Sequence, residues 1–282
     1  MKSEKENVVM KRLWIGALAL MGTISAWALA PGEVAFKVAE KPLIVSHRGS
    51  RGEIEDNAAE GFAKCLEAGI RGFETDVRLT RDDELVIMHD KDVARTTRGT
   101  GDIHAMTLAE VTALELKKTG YKVPSAQRVM DVFRGRKDLR VEFEMKESTK
   151  SLGKVRGDLY CRKLHDMAMK TMEPGTYVFT SFSADTLTTM KTLFPEAPIG
   201  LICGKPCTKE QVDKAVALKC CGIAPLIKGT TREMVDYAHA KGLAVSLWMV
   251  QDQKTYRQSR ELGADTNTSD YPMRLLRESL GR

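Results

Sequence analysis

Four short stretches of this 282-residue chain concentrate the side chains that could do chemistry. The first is His47-Arg48-Gly49. A histidine can hold or release a proton near neutral pH, and the guanidinium fork beside it matches the oxygens of a phosphate. The second is Glu74-Thr75-Asp76, two carboxylates with one residue between them. The third is Met88-His89-Asp90, whose second histidine allows one general base and one general acid. The fourth is Glu142-Phe143-Glu144-Met145-Lys146. Each has a bland alternative when taken alone: a capping histidine beside a surface arginine, or a buried ion pair between Glu144 and Lys146. Together they suit hydrolysis of a phosphate diester. A metal and the basic groups would stabilise charge on the phosphoryl oxygens. One histidine would activate the nucleophile and the other would protonate the leaving alkoxide.

The elements that must position these groups can be read from periodicity. Short apolar runs alternate with amphipathic helical stretches. Strands are expected at Leu43–His47, Gly72–Leu79, Glu84–His89, Leu139–Met145, Tyr177–Phe182, Ile199–Cys203, Gly222–Ala224, Leu243–Met249 and Ala264–Thr268. Helices are expected between most of them, including Ala58–Ala68, Ser125–Arg134, a long one around Gly157–Met172, and Leu108–Leu114, where Thr107 and Glu110 form a capping-box pattern. Alternating strands and helices imply parallel βα units. About eight of them in one chain of this size predict a single-domain TIM-like (β/α)8 barrel over residues 40–280. An open doubly wound sheet is the alternative, but the first strand–helix junction lacks a G-x-G-x-x-G fingerprint.

A barrel gives the four stretches a common place, because reactive groups gather at the C-terminal ends of its strands. It also decides which way the carboxylates face. Side chains two apart share a face of a strand, so Glu74 and Asp76 lie together, opposite Phe73, Thr75 and Val77. Glu142, Glu144 and Lys146 likewise oppose Phe143 and Met145. Helices cover the outside of a barrel sheet, so the charged faces point inward. Two carboxylates side by side repel unless a cation joins them, and an oxygen-only set suits Ca²⁺ or Mg²⁺ better than zinc.

Composition bounds the remaining classes. The chain is 43% hydrophobic and 29% charged, an ordinary globular balance. Its net charge of +6 is mild and evenly spread, which suits a small anionic substrate and gives no footprint for nucleic acid. Lys11-Arg12 precede an uncharged apolar run, Leu13–Ala30, that ends in Ala26-Trp27-Ala28 and Ala28-Leu29-Ala30. This is the pattern of a secretory signal peptide over residues 1–30, with cleavage expected after Ala28. An uncleaved anchor is the alternative, since the run is about long enough to span a bilayer. Nothing later is apolar enough to span, so an exported, periplasmic or secreted enzyme is expected, membrane-anchored only if the signal stays. The oligomeric state is not legible. In an exported chain Cys203, Cys207, Cys220 and Cys221 could form one or two disulfides. Cys65 and Cys161 read as buried apolar residues.

These residues resemble the glycerophosphodiester phosphodiesterase family. The resemblance is carried by His47-Arg48-Gly49-Ser50-Arg51-Gly52, Asp56-Asn57, Glu74-Thr75-Asp76-Val77 and His89-Asp90. Arg95-Thr96-Thr97, Gly99-Thr100-Gly101, Glu144-Met145-Lys146, Thr180-Ser181-Phe182, Trp248, and Thr268-Ser269-Asp270 with Pro272 extend it across nearly the whole chain after residue 40. It implies a TIM-barrel hydrolase that cleaves glycerophosphodiesters to glycerol 3-phosphate and an alcohol. It also implies one Ca²⁺ or Mg²⁺ on Glu74, Asp76 and Glu144, His47 and His89 as the acid–base pair, and Arg48 and Lys146 near the phosphate. Three departures bear on substrate choice. Glu55-Asp56-Asn57-Ala58 replaces the usual Pro-Glu-Asn-Thr, which shortens a carboxylate by about 1.5 Å. Glu142 stands where Asn is usual, as a possible further carboxylate at the cation. Trp248-Met249-Val250 replaces Trp-Thr-Val in the pocket wall. Related barrels cleave lysophospholipid or sphingomyelin in the manner of a phospholipase D, and a barrel that only binds diesters is the non-enzymatic alternative.

Overall fold

The computed structural model describes residues 42–281, so the apolar run of residues 13–30 lies outside them. β1 (Leu43–His47) leads through a turn into α1 (Ala59–Glu67), then β2 (Gly72–Leu79) and β3 (Leu85–Ile87). Two 3₁₀ turns, Val93–Arg95 and Ile103–Ala105, precede α2 (Leu108–Thr112) and α3 (Ala126–Phe133). Alternation is then regular: β4 (Arg140–Met145), α4 (Thr149–Leu152), α5 (Lys154–Thr171), β5 (Tyr177–Ser181), α6 (Ala184–Leu193), β6 (Ile199–Pro206) and α7 (Lys209–Ala217). β7 (Gly222–Leu226), α8 (Arg232–Ala240), β8 (Ala244–Leu247), α9 (Gln253–Leu262), β9 (Thr266–Ser269) and α10 (Pro272–Ser279) complete the order.

Eight strands pair in parallel, β1-β2-β4-β5-β6-β7-β8-β9, and β9 returns to β1 to close the barrel. The expected fold is therefore the observed one. Helix ends follow local chemistry: Ser125, Thr208 and Thr231 each accept a hydrogen bond from a first-turn N–H, and Thr107 with Glu110 forms the full capping box.

The outward faces of the strands build the main core. Phe73 of β2 meets Phe62 of α1 and Phe133 of α3, with ring centroids 6.3 and 4.9 Å apart, and Phe62 meets Phe133 edge-on at 5.7 Å. That outward apolar layer turns the alternate residues, Glu74 and Asp76, into the barrel. Glycine enters where two main chains meet: a Cβ on Gly61 would lie 2.4 Å from the carbonyl oxygen of Gly49. α1 thereby approaches the His47-Arg48-Gly49 turn closely enough to shape it.

Two expectations are corrected. The strand expected at Glu84–His89 is only Leu85–Ile87 and lies outside the closed barrel, antiparallel to β2. Its connection from β2 is too short for a parallel crossover. The hairpin rises above the barrel, and the chain returns so that the Met88 N–H reaches the Asp76 carbonyl at 3.0 Å. Residues that follow pack a second small core, with Val86, Met88, Val93, Ile103, Val111, Leu116 and Val123. The second correction concerns cysteine. All six thiols are free, and Cys203, Cys207 and Cys220 are buried in the main core as small apolar side chains. Burial pushes the Cys203 and Cys220 thiols up to about 12.

Candidate active site

Barrel register sets the first layer of the site. His47 of β1 pairs with Glu74 of β2, Glu74 pairs with Glu142 of β4, and Asp76 pairs with Glu144. Glu74, Asp76 and Glu144 are all buried, and each offers an oxygen within 4.8 Å of the others. Glu74 Oε1 and Asp76 Oδ1 are buried without a hydrogen-bond partner. Three close carboxylates, two of them with an unpartnered buried oxygen, fit a hard divalent cation, which takes oxygen ligands.

The electrostatics agree. Burial, with Asp76 and Glu144 nearby, pushes Glu74 well above the usual carboxylate range. Burial and Asp76 push Glu144 up to about 7. Asp76 goes the other way: burial opposes its charge, but Arg48 and Lys146 hold it well below its ordinary value. Lys146 Nζ lies 2.6 Å from Glu144 Oε1 and 3.6 Å from Asp76 Oδ1. Arg48 Nε lies 3.2 Å from Asp76 Oδ2. Asn57 completes the rim by donating to Asp76 Oδ2 at 2.8 Å. Arg48, Ser50 and Asn57 all have positive φ, at 52°, 70° and 58°. Such strain in non-glycine residues persists where surrounding contacts enforce it, often around a functional centre.

The two histidines flank this cluster. His47 Nδ1 lies 2.5 Å from Asp270 Oδ1, and its Nε2 is 3.9 Å from Glu74 Oε2. His89 Nδ1 lies 2.6 Å from Asp90 Oδ1. An aspartate on Nδ1 orients the ring and leaves Nε2 to face the site. Burial lowers the His47 pKa against the pull of Asp270. Burial also lowers His89, with Arg48 and Lys146 adding to the effect against Asp76 and Asp90.

The site residues read from the sequence divide into those that converge and those that do not. His47, Arg48, Glu74, Asp76, His89, Glu144 and Lys146 come together. Glu142 stands on the same face but does not join the carboxylate cluster. Its Oε1 accepts from Arg140 Nε at 3.1 Å, and that guanidinium holds it away from the cluster. Asp56 is a buried hub for arginines, with Arg48 at 3.5 Å, Arg51 at 3.0 Å and Arg95 at 2.7 Å. Arg95 in turn binds Asp90 through Nε. Trp248 lies at the rim, its Nε1 donating to the Ala224 carbonyl at 2.8 Å, edge-on to Phe182 with centroids 6.0 Å apart.

Two partners escaped the sequence reading as site residues. Asp270 belongs to the motif Thr268-Ser269-Asp270, yet nothing local tied it to His47, 223 positions away. Gln251 donates to Asp270 Oδ2 at 2.9 Å and accepts from the Asp270 N–H at 2.9 Å. The rule that polar groups at barrel strand ends are worth weighing would have found Asp270, which directly follows β9.

Comparison with known proteins places this geometry. Residues 47–274 match the glycerophosphoryl diester phosphodiesterase family. A glycerophosphodiester phosphodiesterase of Caldanaerobacter subterraneus is 26% identical over 248 residues, covering 84% of this chain and 97% of the relative. A structure from Silicibacter pomeroyi superposes with a TM-score of 0.78 at 24% identity, over 85% of this chain and 93% of its own. An Oleispira antarctica phosphodiesterase, solved with the product sn-glycerol-3-phosphate, gives 0.76 at 22% identity, over 86% and 97%. The match over residues 47–274 and the barrel that carries it establish that this chain belongs to the glycerophosphoryl diester phosphodiesterase family and is a phosphodiester hydrolase.

Proposed function

We propose that the chain hydrolyses glycerophosphodiesters to glycerol 3-phosphate and an alcohol, with one divalent cation, Ca²⁺ or Mg²⁺, held by Glu74, Asp76 and Glu144. The observation that carries this reading is the buried carboxylate trio flanked by two histidines, each tied to an aspartate through Nδ1. A bound cation would supply Lewis-acid stabilisation of charge on the phosphoryl oxygens. Arg48 and Lys146, at the edge of the trio, add fixed positive charge for the same oxygens. His47, its ring held by Asp270 on Nδ1, takes a proton from the attacking water. His89, steered by Asp90, gives a proton to the alcohol oxygen as its bond to phosphorus breaks. Glycerophosphocholine or glycerophosphoethanolamine should turn over with added Ca²⁺ or Mg²⁺ and stop with a chelator. No cation-dependent turnover of any diester would sink the proposal.

A second reading has its own observation. Phe182 is 47% exposed and forms an apolar rim with Trp248. An apolar rim favours a substrate with a hydrocarbon part, cleaved as by a phospholipase D. Parallel assays on glycerophosphocholine and a lysophospholipid separate the two. We also propose export, resting on the Lys11-Arg12 and Leu13–Ala30 pattern alone. Among the described residues no helix is long and apolar enough to cross a membrane.

A further inference from the structure

His89 follows β3 in a stretch with no regular structure, so its main chain lacks the ladder that holds His47. Arg78 supplies a substitute. It lies on the same face of β2 as Glu74 and Asp76, at the end where β3 folds back. Its Nε and Nη2 both donate to the carbonyl oxygen of His89, at 2.9 and 2.7 Å. Its Nη1 donates to Glu147 Oε1 at 3.3 Å. Glu147 is buried just past β4, and the same oxygen accepts the Leu79 N–H at 3.3 Å. Glu147 Oε2 lies 3.0 Å from His104 Nε2, on the second 3₁₀ turn. The chain of contacts therefore runs from β4 through Arg78 to the His89 carbonyl, with a branch to the segment that covers β3.

None of these three side chains belongs to the carboxylate trio or bonds the ring of His47 or His89. What they fix is the peptide plane from which the His89 ring hangs. The ring has one further tether, Asp90 on Nδ1. With the main chain and Nδ1 both held, the aim of Nε2 is determined. The two-pronged grip needs the planar fork of arginine, which lysine does not reproduce. We propose that Arg78, clamped by Glu147 and through it tied to His104, is a positioning residue for the proton donor His89. This rests on the reading of His89 as the group that protonates the leaving alcohol.

The test uses two diesters that differ in their need for that proton. In glycerophosphocholine the leaving group is an alkoxide, which needs it. In bis(p-nitrophenyl) phosphate the leaving phenolate is stable without it. Arg78→Lys should lower kcat on glycerophosphocholine on the order of 10²-fold, as expected for a misaimed catalytic group, and leave the activated diester within about threefold. His89→Ala, measured alongside, should show the same split, larger. Equal losses on both substrates in a folded Arg78→Lys protein, or no loss on either, would overturn the inference. A His89→Ala enzyme without the split overturns the donor assignment itself, and this inference with it. Should Arg78→Lys fail to fold by circular dichroism, Glu147→Gln is read the same way. It removes the charge that grips Arg78 at nearly constant volume.

Discussion

At His47 the deciding contact is the 2.5 Å approach of Asp270 to Nδ1, which leaves Nε2 on the side of Glu74. Asp270→Asn keeps the shape and removes the charge that orients the ring. It should lower kcat on the order of 10²- to 10⁴-fold, by analogy with a triad aspartate, while cation affinity is unchanged in calorimetric titration. The carboxylates make a separate prediction. Glu144 sits at about 7 and Glu74 is also raised, so a cation must displace a proton. The ligating form is the carboxylate, so cation affinity should rise with pH through about 7, where Glu144 loses its proton, by about tenfold per unit for each proton displaced. The folded-state pKa values lie above the unfolded ones, so without a cation their contribution to stability is fully present below the ordinary glutamate range. The Glu144 part is lost as pH rises through about 7. Melting in a chelator across that window should show the loss, and adding Ca²⁺ or Mg²⁺ should reverse it. A flat profile would contradict both statements.

At the scale of elements, β2 carries the site on one face and the core on the other. Phe73 and its partners Phe62 and Phe133 are fully buried. Phe133→Ala should cost about 3–5 kcal/mol, because the cavity lies between sheet and helices and cannot collapse without moving α1 or α3. Thermal melting would show it, and turnover well below the new melting point should be retained, since the barrel interior is untouched. The antiparallel β3 was hidden by its composition. Leu85-Val86-Ile87 reads as any barrel strand, and only the brevity of the Thr80–Glu84 connection hinted at a hairpin. The hairpin brings the chain at His89 back to the level of Asp76, where a parallel strand would have carried it elsewhere.

At the scale of the whole molecule, the proposed export predicts a mature chain that begins at Leu29, after cleavage following Ala28. N-terminal sequencing of protein recovered from outside the cytoplasm would check it, and a start at Met1 would point to the uncleaved anchor. The free thiols fit a barrel core large enough to need no crosslink. The sequence by itself determined the alternation of strands and helices, the inward turn of Glu74, Asp76 and Glu144, and His47 at the end of the first strand. These follow from period and spacing, which are local. Only the tertiary structure decided that Asp270 orients His47, that Asp56 gathers three arginines, that Glu142 is held away by Arg140, and that Arg78 grips the His89 carbonyl. Closing the barrel brings β9 beside β1, and folding β3 back brings His89 over Asp76. The first joins residues 223 positions apart and has no trace in local spacing; the second has only the short Thr80–Glu84 connection as its trace.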